Sequence, residues 1–389
     1  IIGTNSLREA NMVTPGIDIG TTSISGVLYD SRDQKLTAAS VPNDAVLESA
    51  QPYHRLPDPQ KIRDRALSVA DKLLEGRVPD STAVTGQMHG IVYLDAGGKA
   101  VSPLYTWEDQ SGECVREEDG KSCAAYLSEK SGASVSTGFG LCTHYVLRKR
   151  EQVPHTAVYF CTIADYVAAV LSGTKRPRMD ASMAASLGGF DVRGNTFSQA
   201  LLELTGAKEY LPELAATGTV LGRSKQYGQV LCAVGDNQAS VYGAIGSSSE
   251  QVCFNVGTGS QVSAVSDVYD SSSQVEIRPY FGEQYLYVGA SLNGGRAYAR
   301  LRDFFGACMP DLDTESIYQW MEQAAEPETT LCVVPDLFGS RAMGTQGGRI
   351  PGLPPGDLTP GPFNTGFARR MAGARGSINR RVPGNTWKK

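Results

Sequence analysis

Apolar and polar positions alternate over 17–19 and again over 23–29, which predicts two β-strands joined by a short turn at Gly20-Thr21-Thr22. The period then changes. Over 61–74 the apolar residues are Ile62, Ala66, Val69, Ala70, Leu73 and Leu74, a spacing that puts them on one face of an α-helix. A short apolar run at 81–85 ends in Gly86 and reads as a buried strand, and 157–162 reads as another. Helices are expected over 165–171, stopping near Gly173, and over 198–205, stopping at Gly206, because glycine readily closes a helix in the left-handed conformation. In the second half a strand is predicted at 229–234, then a helix at 236–245 opened by Asp236. Strands follow at 274–279 and 284–288, and a helix at 295–305.

The second half also repeats the opening device. Phe254-Asn255-Val256-Gly257-Thr258-Gly259-Ser260 aligns without a gap on Ile17-Asp18-Ile19-Gly20-Thr21-Thr22-Ser23. Each half therefore holds a strand, a tight Gly-Thr turn and a second strand, with helices after it, the pattern of a duplicated α/β domain. The chain has 389 residues, more than one hydrophobic core usually serves, so two domains are expected. The polar stretch 222–228, with two glycines, is the expected boundary: one domain over 13–226 and a second over 227–367.

Composition narrows the function classes. The net charge of −5 gives no electrostatic footprint for nucleic acid or a membrane surface. No apolar run reaches the length of a bilayer span, and the start lacks a signal-peptide pattern. The eight cysteines form no C-x-x-C pair, and several sit in apolar strand-like runs. They read as reduced thiols of a cytoplasmic protein, with a metal cluster improbable at these spacings. The ends are unlike the rest: Met12 stands just before the first strand, and from Ala368 onward there are seven Lys/Arg and no acid. Residues 1–11 are expected to be translated upstream sequence or a cloning remnant, and 368–389 a disordered basic tail or the product of a truncation or frame error.

Several short segments carry polar groups where chemistry needs them. In the first hairpin, Gly20 allows the positive φ of a tight turn and a close backbone approach. The hydroxyls of Thr21, Thr22 and Ser23, with nearby N–H groups, can ring a phosphate. Asp18 repels bare phosphate and suits Mg²⁺ beside it. A plain hairpin on a surface strand fits one copy about as well; the second copy, with Gly257 and Thr258, favours phosphate binding. Thr85-Gly86-Gln87-Met88-His89-Gly90 presents polar side chains at a strand end, where open α/β sheets place ligands. Gln87 and His89 can bond a polyol, although a lone loop histidine is more often structural. Trp107 can pack on a sugar face with Asp109 taking hydroxyls, or Trp107 can belong to the core. Asp236 either caps its helix or orients a hydroxyl nucleophile, and on that segment alone the cap is favoured.

Taken in order, D-x-G-T-T, [ST]-G-Q-M-H-G, T-W-x-D, the Asp165-Tyr166 pair, G-D-x-Q-A-S and N-x-G-T-x-x-Q resemble the FGGY carbohydrate kinases of the actin/hexokinase/sugar-kinase superfamily. Further points of similarity, to the sedoheptulokinase type, are Thr137-Gly138-Phe139-Gly140, Ile163-Ala164-Asp165-Tyr166-Val167, Ala184-Ala185-Ser186 and Ser291-Leu292-Asn293-Gly294-Gly295. The resemblance implies an α/β fold of two ribonuclease-H-like domains around a cleft. It implies transfer of the γ-phosphoryl group of ATP, with Mg²⁺, to the terminal hydroxyl of a ketose such as sedoheptulose. By motif, Asp18 handles the metal; Gly20, Thr21, Thr22, Ser23, Gly257 and Thr258 hold phosphate; Asp236 is the catalytic base. Gln87, Met88, His89, Trp107, Asp109 and Asp165, with Asp236, line the sugar side.

Family members continue roughly a hundred residues further, through a glycine-rich adenosine motif, whereas here the similarity fades after Pro355-Gly356-Asp357-Leu358-Thr359-Pro360-Gly361, so the second domain is expected to be incomplete. Xylulose kinases share Gly-Gln-Met-His-Gly, which keeps a pentulose open as the substrate. The missing adenosine segment keeps open a sugar-binding protein without turnover. An actin- or chaperone-like ATPase is disfavoured because it needs no polyol site.

Overall fold

The computed structural model describes residues 12–49, 51–257, 260–273, 275–291 and 294–323. Residues 1–11, Thr258, the segment 355–361 and the tail 368–389 thus lie outside the described residues.

Strand β1 (Val13–Ile19) buries every second residue, and β2 (Ser23–Asp30) pairs with it antiparallel from Val13↔Asp30 to Ile19↔Ile24. That is the hairpin anticipated from the alternation. Strand β3 (Lys35–Pro42) follows antiparallel, and β4 (Ser81–Gly86) lies parallel on the other side of β1. A seven-stranded sheet is completed by Val220–Ser224, Gly228–Leu231 and Val234–Gly235. The expected single strand at 229–234 is two pieces. Gly228–Leu231 runs parallel to the start of β4 and Val234–Gly235 parallel to its end, while between them the Cys232 amide turns to the Thr219 carbonyl.

Helix α1 (Pro59–Leu74) covers this sheet with the apolar face read from its spacing, burying Ile62, Ala66, Val69, Ala70, Leu73 and Leu74. Asp58 caps it by accepting from the Gln60 and Lys61 amides, and Pro59 occupies the first turn, where a missing N–H costs nothing. The helices Ile163–Ser172 and Gln199–Thr205 end at Gly173 and Gly206, both left-handed. By packing, the first compact unit extends through Ser240 and so includes the strands at 228–231 and 234–235.

The second unit begins at Val241. Its described part holds a four-stranded antiparallel sheet in the order Val252–Val256, Ser260–Ser266, Tyr285–Ser291, Glu276–Pro279. Val241, Val265, Leu286 and Val288 are buried together, and the helices Gly295–Cys308 and Thr314–Gln323 share a cluster of Ala297, Leu301, Phe305, Ile317 and Met321. Among the described residues no helix is long and apolar enough to cross a membrane, and seven cysteines are free thiols.

Candidate functional site

Three parallel strand ends meet in the first unit. Ile19 at the end of β1 pairs with Gly86 at the end of β4, and Gly86 pairs on its other side with Gly235. The Gln87 amide then donates to the Ile19 carbonyl at 2.9 Å. The approach is close: a Cβ on Gly86 would lie 2.7 Å from the Ile19 Cβ, and one on Gly235 would lie 2.8 Å from the Met88 sulfur. The hairpin turn, the Gln87-Met88-His89 loop and Asp236 therefore leave the sheet at neighbouring positions on one edge. Carboxyl-terminal ends of parallel strands are the usual ligand side of such sheets.

At the end of β1, Asp18 has its Oδ1 shielded from solvent and without a hydrogen-bond partner among the described residues. Burial raises its pKa above the ordinary 3.8. Thr21 and Thr22 are exposed and Ser23 is half-buried, so the turn offers its hydroxyls outward. Gly20 differs from the expectation: its φ is not positive. Glycine is required there by space, since a Cβ would meet the Ser23 carbonyl oxygen at 2.7 Å. Asn43, which the sequence did not single out, clamps this turn. Its side-chain amide donates to the Gly20 carbonyl and its backbone N–H to the Thr22 carbonyl, each at 2.9 Å.

At the end of β4, Gln87 and Met88 are buried, and the Gln87 Nε2 has no partner among the described residues. His89 sits at φ 74°, uncommon outside glycine, and is held from three directions. Its ring stacks on Phe139 with centroids 4.7 Å apart. Its amide donates to the Ser186 Oγ at 3.0 Å, and its Nδ1 lies 2.7 Å from the Ser186 carbonyl. A carbonyl only accepts, so Nδ1 carries the proton, and in neutral His89 the Nε2 is the acceptor.

Trp107 is 42% exposed and is not a core residue. Its indole N–H donates to the Thr21 Oγ1 at 3.2 Å, which joins the T-W-x-D loop to the first hairpin. Asp109 is 1% exposed. Its carboxylate lies 2.7 Å from the Nδ1 of His54 and accepts the Ser111 amide at 3.0 Å. It is thus engaged in holding its own loop, and the sequence carried no sign of His54. Asp236 opens the helix Asp236–Ile245, is exposed, and accepts the Asn237 amide at 2.7 Å.

Asp165 lies among interior groups that include Asp180 and Cys232. It is fully buried at the third position of the helix Ile163–Ser172, where it forms a capping box with Thr162. Burial first, with the nearby Asp180 adding to it, raises its pKa to about 7 against the hydrogen bonds from Thr162. The folded chain then keeps a proton that the unfolded chain loses near its ordinary 3.8. Stability from this group is full below about 4 and falls as pH rises through about 7. Asp165→Asn keeps an oxygen for Thr162 and removes the titration, so melting temperatures recorded between those limits should flatten with pH. An unchanged slope would refute this origin of the pH dependence.

In the second unit Gly257 is exposed at the end of Val252–Val256, and its carbonyl accepts the Gly295 amide at 2.7 Å. The two flanking strands pair from Val252↔Ala264 to Val256↔Ser260, so the second hairpin exists, while Thr258 in its turn lies outside the described residues.

The N-terminal-domain model of the FGGY family of carbohydrate kinases matches residues 13–246, a span that holds all three strand ends. The chain belongs to the FGGY family of carbohydrate kinases. It is 31% identical to mouse sedoheptulokinase across 92% of this chain and 83% of that protein. It is 30% identical to the human sedoheptulokinase across 92% and 84%. The solved xylulose kinase of Rhodospirillum rubrum superposes with a TM-score of 0.80 at 21% identity, covering 95% of this chain and 79% of that one. The fold is therefore that of the actin/hexokinase-like sugar kinases. As an FGGY kinase the protein is a phosphotransferase acting on a sugar.

Proposed function

We propose that this FGGY kinase transfers the γ-phosphoryl group of ATP to the terminal hydroxyl of a ketose, sedoheptulose, giving sedoheptulose 7-phosphate and ADP. The observation that supports it is the meeting of β1, β4 and Val234–Gly235. It sets a hydroxyl-rich turn, a glutamine–histidine loop and an exposed carboxylate side by side. The choice of sugar follows the two sedoheptulokinase relatives.

In this reading Asp236 accepts the proton of the attacking hydroxyl. The sugar oxygen forms its bond to the γ-phosphorus while the β–γ bridging bond breaks and its electrons leave with ADP. In a loose transition state the base mainly orients the nucleophile, so placement of the carboxylate matters more than its basicity. Gln87 and His89 hold the polyol, with His89 Nε2 accepting from a hydroxyl, and Trp107 offers its exposed indole face. Thr21, Thr22 and Ser23 orient phosphate oxygens, and the repeated motif gives Gly257 and Thr258 a phosphate role by resemblance.

Asp18 would hold Mg²⁺. A shielded carboxylate oxygen with no partner among the described residues and a raised pKa is a group that a cation stabilises, and one carboxylate with water and phosphate oxygens suits this ion. When bound, Mg²⁺ offsets the negative charge of the phosphate oxygens.

The test is kcat/KM for sedoheptulose, xylulose, ribulose and fructose with Mg-ATP, followed by ADP release. Sedoheptulose should rank first. A preference for xylulose would reassign the substrate to a pentulose, and ketose-independent ATP hydrolysis would refute the kinase reading.

A further inference from the structure

The short helix Ala181–Ser186 touches two of the three strand ends, yet none of its residues has a role in the reading above. Ser186 fixes His89, as described. Ser182, one turn earlier, accepts the Gly235 amide on its Oγ at 2.9 Å. The same hydroxyl donates to the Asp180 carboxylate at 2.5 Å, and the other oxygen of Asp180 accepts the Thr217 hydroxyl at 2.5 Å. Asp180 is 2% exposed and Ser182 3%.

We propose that Ser182, held by Asp180, is a positioning residue for phosphoryl transfer. It fixes the Gly235 backbone and thereby the direction in which Asp236 presents its carboxylate.

The chain of bonds has only one polarity. A backbone N–H can only donate, so the Ser182 Oγ accepts from Gly235 and its own proton goes to the Asp180 Oδ1. Asp180 and Ser182 are shielded from competing water, so these bonds meet little competition. Gly235 is thus gripped from both sides, by its pairing with Gly86 and by Ser182, and it has no side chain through which to shift. Asp236 is the next residue. A small rotation of the Gly235–Asp236 peptide swings the carboxylate away from a hydroxyl it must meet within hydrogen-bond distance. Asp180 also caps the helix through the Ser182 amide at 2.8 Å, so a purely structural role is the rival explanation, and kinetics separates the two.

The proposal rests on Asp236 being the base, and its test therefore includes Asp236→Asn. Ser182→Ala, Ser182→Cys and Asp236→Asn are compared with the unsubstituted full chain for kcat, for KM of ketose and ATP, and for melting temperature. Ser182→Ala should lower kcat about tenfold, the effect of one buried hydrogen bond lost to the transition state, with both KM values moved less than about twofold. Ser182→Cys, keeping a weak acceptor of similar size, should fall between. If the alanine variant does not fold, the cysteine variant carries the same comparison. A lower melting temperature with unchanged kcat would make Ser182 merely structural and overturn the proposal. A rise in ketose KM matching the loss in kcat/KM would make it a sugar contact and overturn it too. An inactive Asp236→Asn beside a Ser182→Ala with normal kcat removes the positioning role alone. An active Asp236→Asn, or an unsubstituted chain without turnover, removes the underlying reading and the proposal with it.

Discussion

Asp236→Asn should lose at least ~100-fold in kcat, about 2.7 kcal/mol of transition-state stabilisation. The carboxamide has the same shape as the carboxylate, and its oxygen can still accept the Asn237 amide that Asp236 binds at 2.7 Å. The helix start should therefore persist, and the melting temperature should change little. What is lost is the charge that orients the sugar hydroxyl and the acceptor for its proton. Because that interaction strengthens as the nucleophile approaches phosphorus, kcat should fall much more than the ketose KM rises. Steady-state ADP release at saturating sugar and Mg-ATP measures this. A variant within threefold of the parent rate would return Asp236 to the simple helix-cap role that its sequence context favours.

The second large effect is expected at Gly138, in the Thr137-Gly138-Phe139-Gly140 segment. Its φ is +78°, and a Cβ there would lie 2.1 Å from the Trp107 carbonyl oxygen. Gly138→Ala meets both penalties at once. The left-handed conformation costs an alanine roughly 1–2 kcal/mol, and forcing backbone apart in a packed region costs about 1–3 kcal/mol more. In a unit of this size each kcal/mol moves the melting temperature by roughly 2–4 °C, so a drop of about 4–20 °C is expected in a thermal melt. Activity should suffer beyond this. Displacing Trp107 breaks its bond to Thr21, and Phe139 is the ring on which His89 stacks. A variant with the parental melting temperature and ketose KM would show that the Trp107 loop does not depend on this contact.

How far the site was legible differs from residue to residue. Gln87, His89 and Asp236 drew notice because each stands beside a glycine at the end of an apolar run, and Asp18 because it precedes the Gly20 turn by two residues; their roles came from the motif order and not from these segments alone. His54, Asn43 and Ser182 did not, and Ser186 entered only within the Ala184-Ala185-Ser186 similarity, without a role. Each acts on a partner distant in sequence: Asn43 on the Gly20 turn, His54 on Asp109, Ser182 on Gly235 and Ser186 on His89. Serines and asparagines are common in loops, and nothing local distinguishes those that hold a remote backbone. Asp109 and Asp165 were assigned to the sugar side by motif, yet the first faces His54 and the second caps a buried helix start.

The local patterns determined the secondary structure closely. The face of α1 and the first hairpin need only short-range periodicity, and the glycine stops at Gly173 and Gly206 need only the φ that glycine tolerates. The motif order was sufficient to indicate the family. The tertiary structure alone decided that the strand expected at 229–234 divides into two, and that both parts lie against β4 in the first unit. It also decided that Gly20 is required by space and not by its φ. The physical reason is the same in each case. Strand pairing and close approach are contacts between segments far apart in the chain, and their energies depend on the partner, which no local pattern contains.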